Sequence, residues 1–260
     1  MRLRLALGVA FGGSLVLMTS VAHAYRRTTV DDIPDGTPLV WHRRSIEFRD
    51  EFTGIPGVEP SQARTALEAS LATWSQAGGC TDILLMHAGQ ADADRTNLSG
   101  GAPDMENRIV VRTSSWPPRV GPQTLAVTTL VYRRATGEIV DADIDINAVS
   151  QPWSAVAAPM GTNDFENTLT HELGHTLGFA HSEVLEATMF ADADLDETTK
   201  RDLAPDDIDA ICAVYPPRPS GSCAASGRTS LGWIGWLALA WLGRRAQSLS
   251  LNRFRDSAGN

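Results

Sequence analysis

Residues 171–181 read His-Glu-Leu-Gly-His-Thr-Leu-Gly-Phe-Ala-His, so three of the chain's six histidines fall within eleven residues. His171 and His175 are four apart, and on a helix that spacing puts both on one face. Gly178 can break the helix and turn the chain, which lets His181 reach the same point in space. Three imidazole donors leave a fourth zinc position open for water, the layout of a reactive site rather than a closed structural one. Bound zinc lowers the pKa of its water to about 7. Glu172, next to the first histidine, is placed to take that water's proton and later pass it to a leaving group. The bland alternative is a helix with incidental histidines. It requires five residues to fall at set spacing by accident in a chain this poor in histidine.

The surrounding elements must hold that constellation. Phe165, Leu169, Leu173 and Leu177 recur every four residues and predict the buried ridge of the histidine-bearing helix. Asn163, three residues before Glu166, predicts a capping box at its start. Ala63, Ala66, Leu67, Leu71 and Trp74 predict an amphipathic helix over 60–75, ended by Gly78-Gly79. Strands are expected at 39–48, 83–86, 108–111, 124–132 and 138–147, with Thr136-Gly137 as the turn between the last two. Residues 88–107, rich in Gly, Asp and Asn, read as a long surface loop, and 205–214 as a last helix stopped by Pro216-Pro217.

With these residues in view, the segment resembles the metzincin signature, H-E-x-x-H-x-x-G-x-x-H followed by a Met-turn, with Met189 at a suitable distance. Within that group it is similar to the matrixins. Ser182 follows the third histidine, residues 203–211 resemble the matrixin C-terminal helix, and 66–75 resemble the first helix. Residues 125–132 and 140–147 resemble the edge strand that pairs with substrate and its neighbour. The resemblance covers about residues 38–216. It implies an α+β, zincin-like fold: a twisted mixed sheet with two long helices and a C-terminal helix. It further implies a zinc endopeptidase acting on protein or peptide substrates. His171, His175 and His181 would be metal ligands, Glu172 the base, and Met189 a floor beneath them. Asp206 and Asp207 would support the turn, and Ala126, Val127, Thr128 and Thr129 would form the substrate strand. Rival readings are an aminopeptidase or narrow processing peptidase on the same zinc site, and a surface binding protein with a relic site.

Two family features are not expected. The few residues between position 24 and the first strand contain no cysteine, so latency through a zinc-capping cysteine is unsupported. The loop that holds a second, structural zinc in vertebrate matrixins offers only His87, so one zinc is expected. His87 and His42 read as packed or surface residues. Matrixin-like domains often bind calcium, and two acidic combs could serve it: Asp141, Asp143 and Asp145, and Asp192, Asp194 and Asp196. The second departs from the EF-hand pattern, with Glu197 where Gly is needed and Leu203 where Glu is needed. A solvated acidic loop is the plainer reading of each comb.

Composition bounds the rest. Net charge is −9. Without residues 1–24 and 218–260, 14 basic and 30 acidic residues remain. Such acidity argues against nucleic acid as a partner. Residues 1–24 read as a signal peptide, with Arg2 and Arg4, an apolar run to Met18 and Ala22-His23-Ala24 as cleavage site, which predicts export to the cell surface or beyond. The metalloprotease domain would span 25–217, as a monomer. Residues 218–260 join Cys223, an apolar run at 231–242 and Arg244-Arg245. They resemble a bacterial sorting tail, with 231–245 making transient membrane or sorting-machinery contact; an interfacial helix or a stable anchor is the alternative. In an oxidising compartment Cys80 and Cys212 could pair, leaving Cys223 odd, although the sequence does not fix that pairing.

Overall fold

The computed structural model describes residues 24–100, 103–156, 160–218, 249–253 and 257–258. The predicted leader, the apolar run at 231–242 and Cys223 lie outside the described residues. Six strands form one mixed sheet: β1 (Ser45–Glu51), β2 (Leu84–Gln90), β3 (Asn107–Arg112), β4 (Ala126–Arg133), β5 (Glu138–Asn147) and β6 (Leu249–Arg253). Their order is β6-β4-β5-β3-β1-β2. β2, β1, β3 and β5 run parallel to one another, whereas β4 is antiparallel to both of its neighbours, β5 and β6.

Helices α1 (Pro60–Ser75) and α2 (Phe165–Thr176) pack on one sheet face, and α3 (Pro205–Val214) closes the end. The helical spacing in α1 is borne out: Ala63, Ala66, Leu67, Leu71 and Trp74 are all buried. Pro60 opens the helix where its missing N–H costs nothing, and Gln62 Oε1 accepts from the Glu59 N–H at 3.1 Å. The α2 ridge of Phe165, Leu169, Leu173 and Leu177 is fully buried. Each such side chain contributes about 1.5–3 kcal/mol of hydrophobic stabilisation. It meets Ile46 and Phe48 of β1, and Ile139, Ala142, Ile144 and Ile146 of β5, in one continuous core. Polar bonds lock the two helices together. Trp74 Nε1 donates to Thr170 O at 2.7 Å, and Thr170 Oγ1 donates to Ser70 Oγ at 2.9 Å.

Several boundaries differ from expectation. The first long strand begins at Ser45, not Leu39, because Val40 makes only an isolated bridge to Glu138 beyond the Gly137 turn. The α2 cap is Asp164, not Asn163: its carboxylate accepts from Asn167 N at 2.8 Å. Asp164 also receives Arg201 Nε at 2.8 Å, which ties the start of α2 to the chain beyond the histidines. Cys80 and Cys212 are bonded, joining the turn after α1 to α3 across 132 residues.

The loop before β3 does more than cover surface. Residues 96–97 sit on the outer sheet face and reach the carboxylates of β5. Asp141, Asp143 and Asp145 are therefore buried, contrary to the expectation of a solvated acidic run. The other comb, around Asp192, Asp194 and Asp196, does lie at the surface, and Asp196 accepts from the Gly161 N–H at 2.8 Å.

Candidate metal centre

Helix α2 carries His171 and His175 one turn apart, and the turn beyond it delivers His181. The last carbonyls of a helix lack intrahelical donors, and here the protein supplies them from distant segments. Trp41 Nε1 donates to Thr176 O at 2.8 Å, Tyr215 Oη donates to Leu177 O at 2.8 Å, and Thr28 N donates to Gly178 O at 2.9 Å. Burial pushes the Tyr215 phenol up to about 12, so it stays a donor. Gly178 adopts φ +85°, and a Cβ there would lie 2.5 Å from Leu39 O. Both facts require glycine at the turn. The chain then pairs Phe179–Ala180 with Arg26–Arg27 and reaches His181.

The three rings converge. His175 Nε2 lies 3.1 Å from His171 Nε2 and 3.2 Å from His181 Nε2. Ligand nitrogens about 2.05 Å from a shared tetrahedral zinc would be about 3.3 Å apart, so the spacing fits one ion. The opposite ring nitrogens face carbonyls: His171 Nδ1 lies 2.5 Å from Thr188 O, and His175 Nδ1 lies 2.8 Å from Phe179 O. Donation of Nδ1–H to those carbonyls leaves the Nε2 lone pairs for the metal and fixes ring orientation. Among the described residues this is the one group of three or more His, Cys, Asp or Glu with metal-binding proximity. His87 instead contacts Asp50, with Nε2 to Oδ2 at 2.7 Å, and His42 lies near Glu138, at 3.7 Å.

Glu172 is buried on the same helix, facing β4, and the Thr128 hydroxyl donates to its Oε2. The sequence had placed Thr128 in the substrate strand without a role for its side chain. Strand alternation could have supplied one, because Ala126, Thr128, Leu130 and Tyr132 share the face turned toward the helices. Ala126, Val127, Thr128 and Thr129 are all buried, and β6 pairs with the edge of β4 from Thr129 to Arg133.

Met189 lies under α2, buried, with its sulfur beside Gly174. Its turn is held by Asp207, whose carboxylate accepts from Thr188 N at 2.7 Å, Met189 N at 3.1 Å and Ala204 N at 2.9 Å. Desolvation raises the Asp207 pKa, and those N–H donors oppose the rise. Asp206 serves the other side, accepting from Ser182 Oγ at 2.7 Å beside His181. The adjacent acids thus divide the work, which their spacing alone did not reveal. A narrow pocket of about 10 Å³, room for one water, opens beside His171 between Leu125, Asn167, Thr168, Ala191, Ala193 and Lys200.

Away from the histidines, the acids of β5 form a bonded network. Asn97 Nδ2 donates to Asp143 at 2.7 Å and to Asp141 at 3.0 Å, while Arg108 N reaches Asp143 at 2.9 Å. Thr96 Oγ1 and Arg112 Nε reach Asp145 at 2.8 and 2.6 Å. Burial, with Asp141 beside it, pushes Asp143 up to about 8.

Comparison with known proteins agrees with this geometry. Residues 123–216 match the family described as Matrixin. Human matrix metalloproteinase-20 is 27% identical over 181 residues, covering 68% of this chain and 32% of that protein. Human neutrophil collagenase is 25% identical over 187 residues, 70% of this chain and 35% of the relative. Metalloendoproteinase 5-MMP of Arabidopsis thaliana is 36% identical over 84 residues, 28% of this chain and 23% of the relative. The chain thus spans about a third or less of the length of these relatives. Together the matched family, the sheet with its helices and the histidine cluster support a matrixin-type metalloprotease domain around residues 123–216.

Proposed function

We propose that the protein is an exported, zinc-dependent endopeptidase. His171, His175 and His181 hold one zinc, and Glu172 is the general base and then the general acid. The observation that carries this reading is the approach of three imidazole Nε2 atoms at 3.1 and 3.2 Å beside a buried glutamate. When bound, zinc supplies Lewis acidity, acidifying a water and polarising a peptide carbonyl. Glu172 accepts the proton from that water and returns it to the amine nitrogen as the peptide bond breaks. Thr128 holds Glu172 in orientation through its hydroxyl. The edge of β4 at Ala126–Thr129 aligns the substrate by main-chain pairing, which makes extended segments of proteins or peptides the substrate class. Asp207 fixes the turn that carries both Met189 and the Thr188 carbonyl facing His171.

Export rests on the leader-like residues 1–24. Among the described residues no helix is long and apolar enough to cross a membrane. The Cys80–Cys212 bond suits an oxidising compartment. Calcium has less support than zinc, because the buried carboxylates on β5 already receive side-chain and backbone donors from the protein.

Metal analysis together with Glu172→Gln tests the reading. The protein should retain about one zinc per chain and cleave internal bonds of an unstructured protein such as casein. The variant should keep the zinc and lose about 10²–10⁴-fold in rate, the usual size of a general acid–base contribution. Undiminished cleavage by the variant would overturn the assignment of Glu172, and absence of zinc would overturn the metal site.

A further inference from the structure

A buried lysine separates two spaces beside the histidine cluster. The pocket next to His171 holds about 10 Å³, and Lys200 forms part of its lining. Lys200 also lines a second cavity of about 360 Å³, whose walls include Glu186, Phe190, Asp192, Asp194 and Glu197. It is the residue common to both linings.

Both ends of this lysine are fixed. Its N–H donates to Asn167 Oδ1 of α2 at 2.7 Å, and the next residue, Arg201, pairs with Asp164 at the start of that helix. Its Nζ donates to Asp192 O and lies 3.2 Å from Glu197 Oε1. The side chain therefore stretches from α2 to the Asp192–Ala193 segment, and it is 5% exposed. Lysine is almost never so buried unless its ammonium is paired. Its methylene stem then packs like any apolar chain.

We propose that Lys200 sets side-chain specificity next to the cleaved bond. It limits the pocket beside His171 to a small side chain, and without it that pocket joins the acidic cavity and takes a long basic one. This rests on the peptidase reading. A space for one water admits a methyl or hydroxymethyl group, but not the chain of Leu or Arg. The favoured residue is therefore Gly, Ala or Ser. Beyond Lys200, the carboxylates of the larger cavity would meet the guanidinium of an arginine, whose planar fork suits carboxylate acceptors.

The test uses the zinc-loaded full chain and blocked peptides that differ only in carrying Ala, norleucine or Arg at either position flanking the cleaved bond. The parent should favour Ala over the other two by at least about tenfold in kcat/KM, the usual size of discrimination by a tight pocket. A parent that cuts all three equally would overturn the proposal. Lys200→Ala should raise the norleucine-to-Ala ratio at least about tenfold, and the Arg-to-Ala ratio further. Such ratios do not depend on the folded fraction, so a less stable variant still gives the answer. Lys200→Met keeps a stem of similar length without the charge, and its ratios should stay close to the parent's. Unchanged ratios in Lys200→Ala would overturn the proposal. So would a rise in Lys200→Met as large as that in Lys200→Ala, because charge rather than filled space would then exclude the larger chains. Binding of the same peptides to Glu172→Gln, with and without Lys200→Ala, separates the two readings. If no form cleaves but affinities shift as expected, the peptidase assignment fails and the role of Lys200 stands. If cleavage proceeds with the same preference in every form, Lys200 fails and the peptidase assignment stands.

Discussion

The sulfur of Met189 occupies the space that a side chain on Gly174 would need: a Cβ there would lie 2.2 Å from Met189 Sδ and 2.7 Å from Trp74 Cζ2. Gly174 thus lets the methionine turn press against the helix between the two histidines. Gly174→Ala should force the turn away. Overpacking typically costs about 1–3 kcal/mol, which should appear as a lower unfolding midpoint together with weaker zinc retention. Met189→Leu, close in volume, should cost less than about 1.5 kcal/mol. If Gly174→Ala leaves both stability and zinc affinity intact, the turn does not support the ligands.

In the proposed mechanism Thr128 is a positioning residue, acting through Glu172. Thr128→Val preserves shape but removes the hydroxyl that donates to Oε2. Peptide hydrolysis should fall about tenfold in kcat, equivalent to about 1.4 kcal/mol of transition-state stabilisation, with KM and zinc content little changed. Thr128→Ser should restore most of the rate. A change confined to KM would instead assign Thr128 to substrate alignment alone.

How much of this was legible in the sequence depends on whether a feature is local. The i, i+4 histidines, the α2 ridge and the limits of α1, α3 and β5 follow from periodicity and turn chemistry over a few residues, and the structure reproduces them. The first strand starts later than its sequence suggests, although Val40 and Trp41 have strand-like side chains. Their partners are distant: Val40 N bonds Gly137 O, and Trp41 Nε1 reaches Thr176 O. The acids of β5 look solvated in the sequence for a similar reason. Alternation fixes that Asp141, Asp143 and Asp145 share a face. It does not reveal that Thr96 and Asn97, more than 40 residues away, cover that face.

That covered face carries a pH signature. Asp143 is faced by Asp141 and Asp145 from its own strand and by Arg108 of β3, while Arg112 bonds Asp145 and Asp104 acts on Asp141. Its folded-state pKa of about 8 stands above its ordinary value of 3.8, mainly through burial. Between those values the unfolded chain releases a proton that the folded one keeps. Stability therefore falls as pH rises from about 4 to 8, by up to about 1.4 kcal/mol per pH unit for one proton. Asp143→Asn should flatten that slope, even if its amide fits the Asn97 donors poorly and lowers stability throughout. Unfolding midpoints of parent and variant across pH 5–8 decide it, and parallel curves would mean that Asp143 is ionised in the fold.

The end of α2 gives a last prediction, because His181 depends on it without any ligand being touched. Tyr215 accepts from Trp41 N at 3.2 Å and donates to Leu177 O at 2.8 Å, one residue before the Gly178 turn. Tyr215→Phe keeps the ring in its place against Phe179, 6.4 Å between centroids, and removes only the bridging oxygen. A buried carbonyl and a buried N–H then lose a partner, at a cost of about 1–3 kcal/mol for each group left unsatisfied. The loss should be felt most at the turn carrying His181, so zinc should dissociate faster from the variant at temperatures where both proteins remain folded. A variant that is less stable but holds zinc as tightly as the parent would show that the turn is fixed by Gly178 and the Arg26–Arg27 pairing alone.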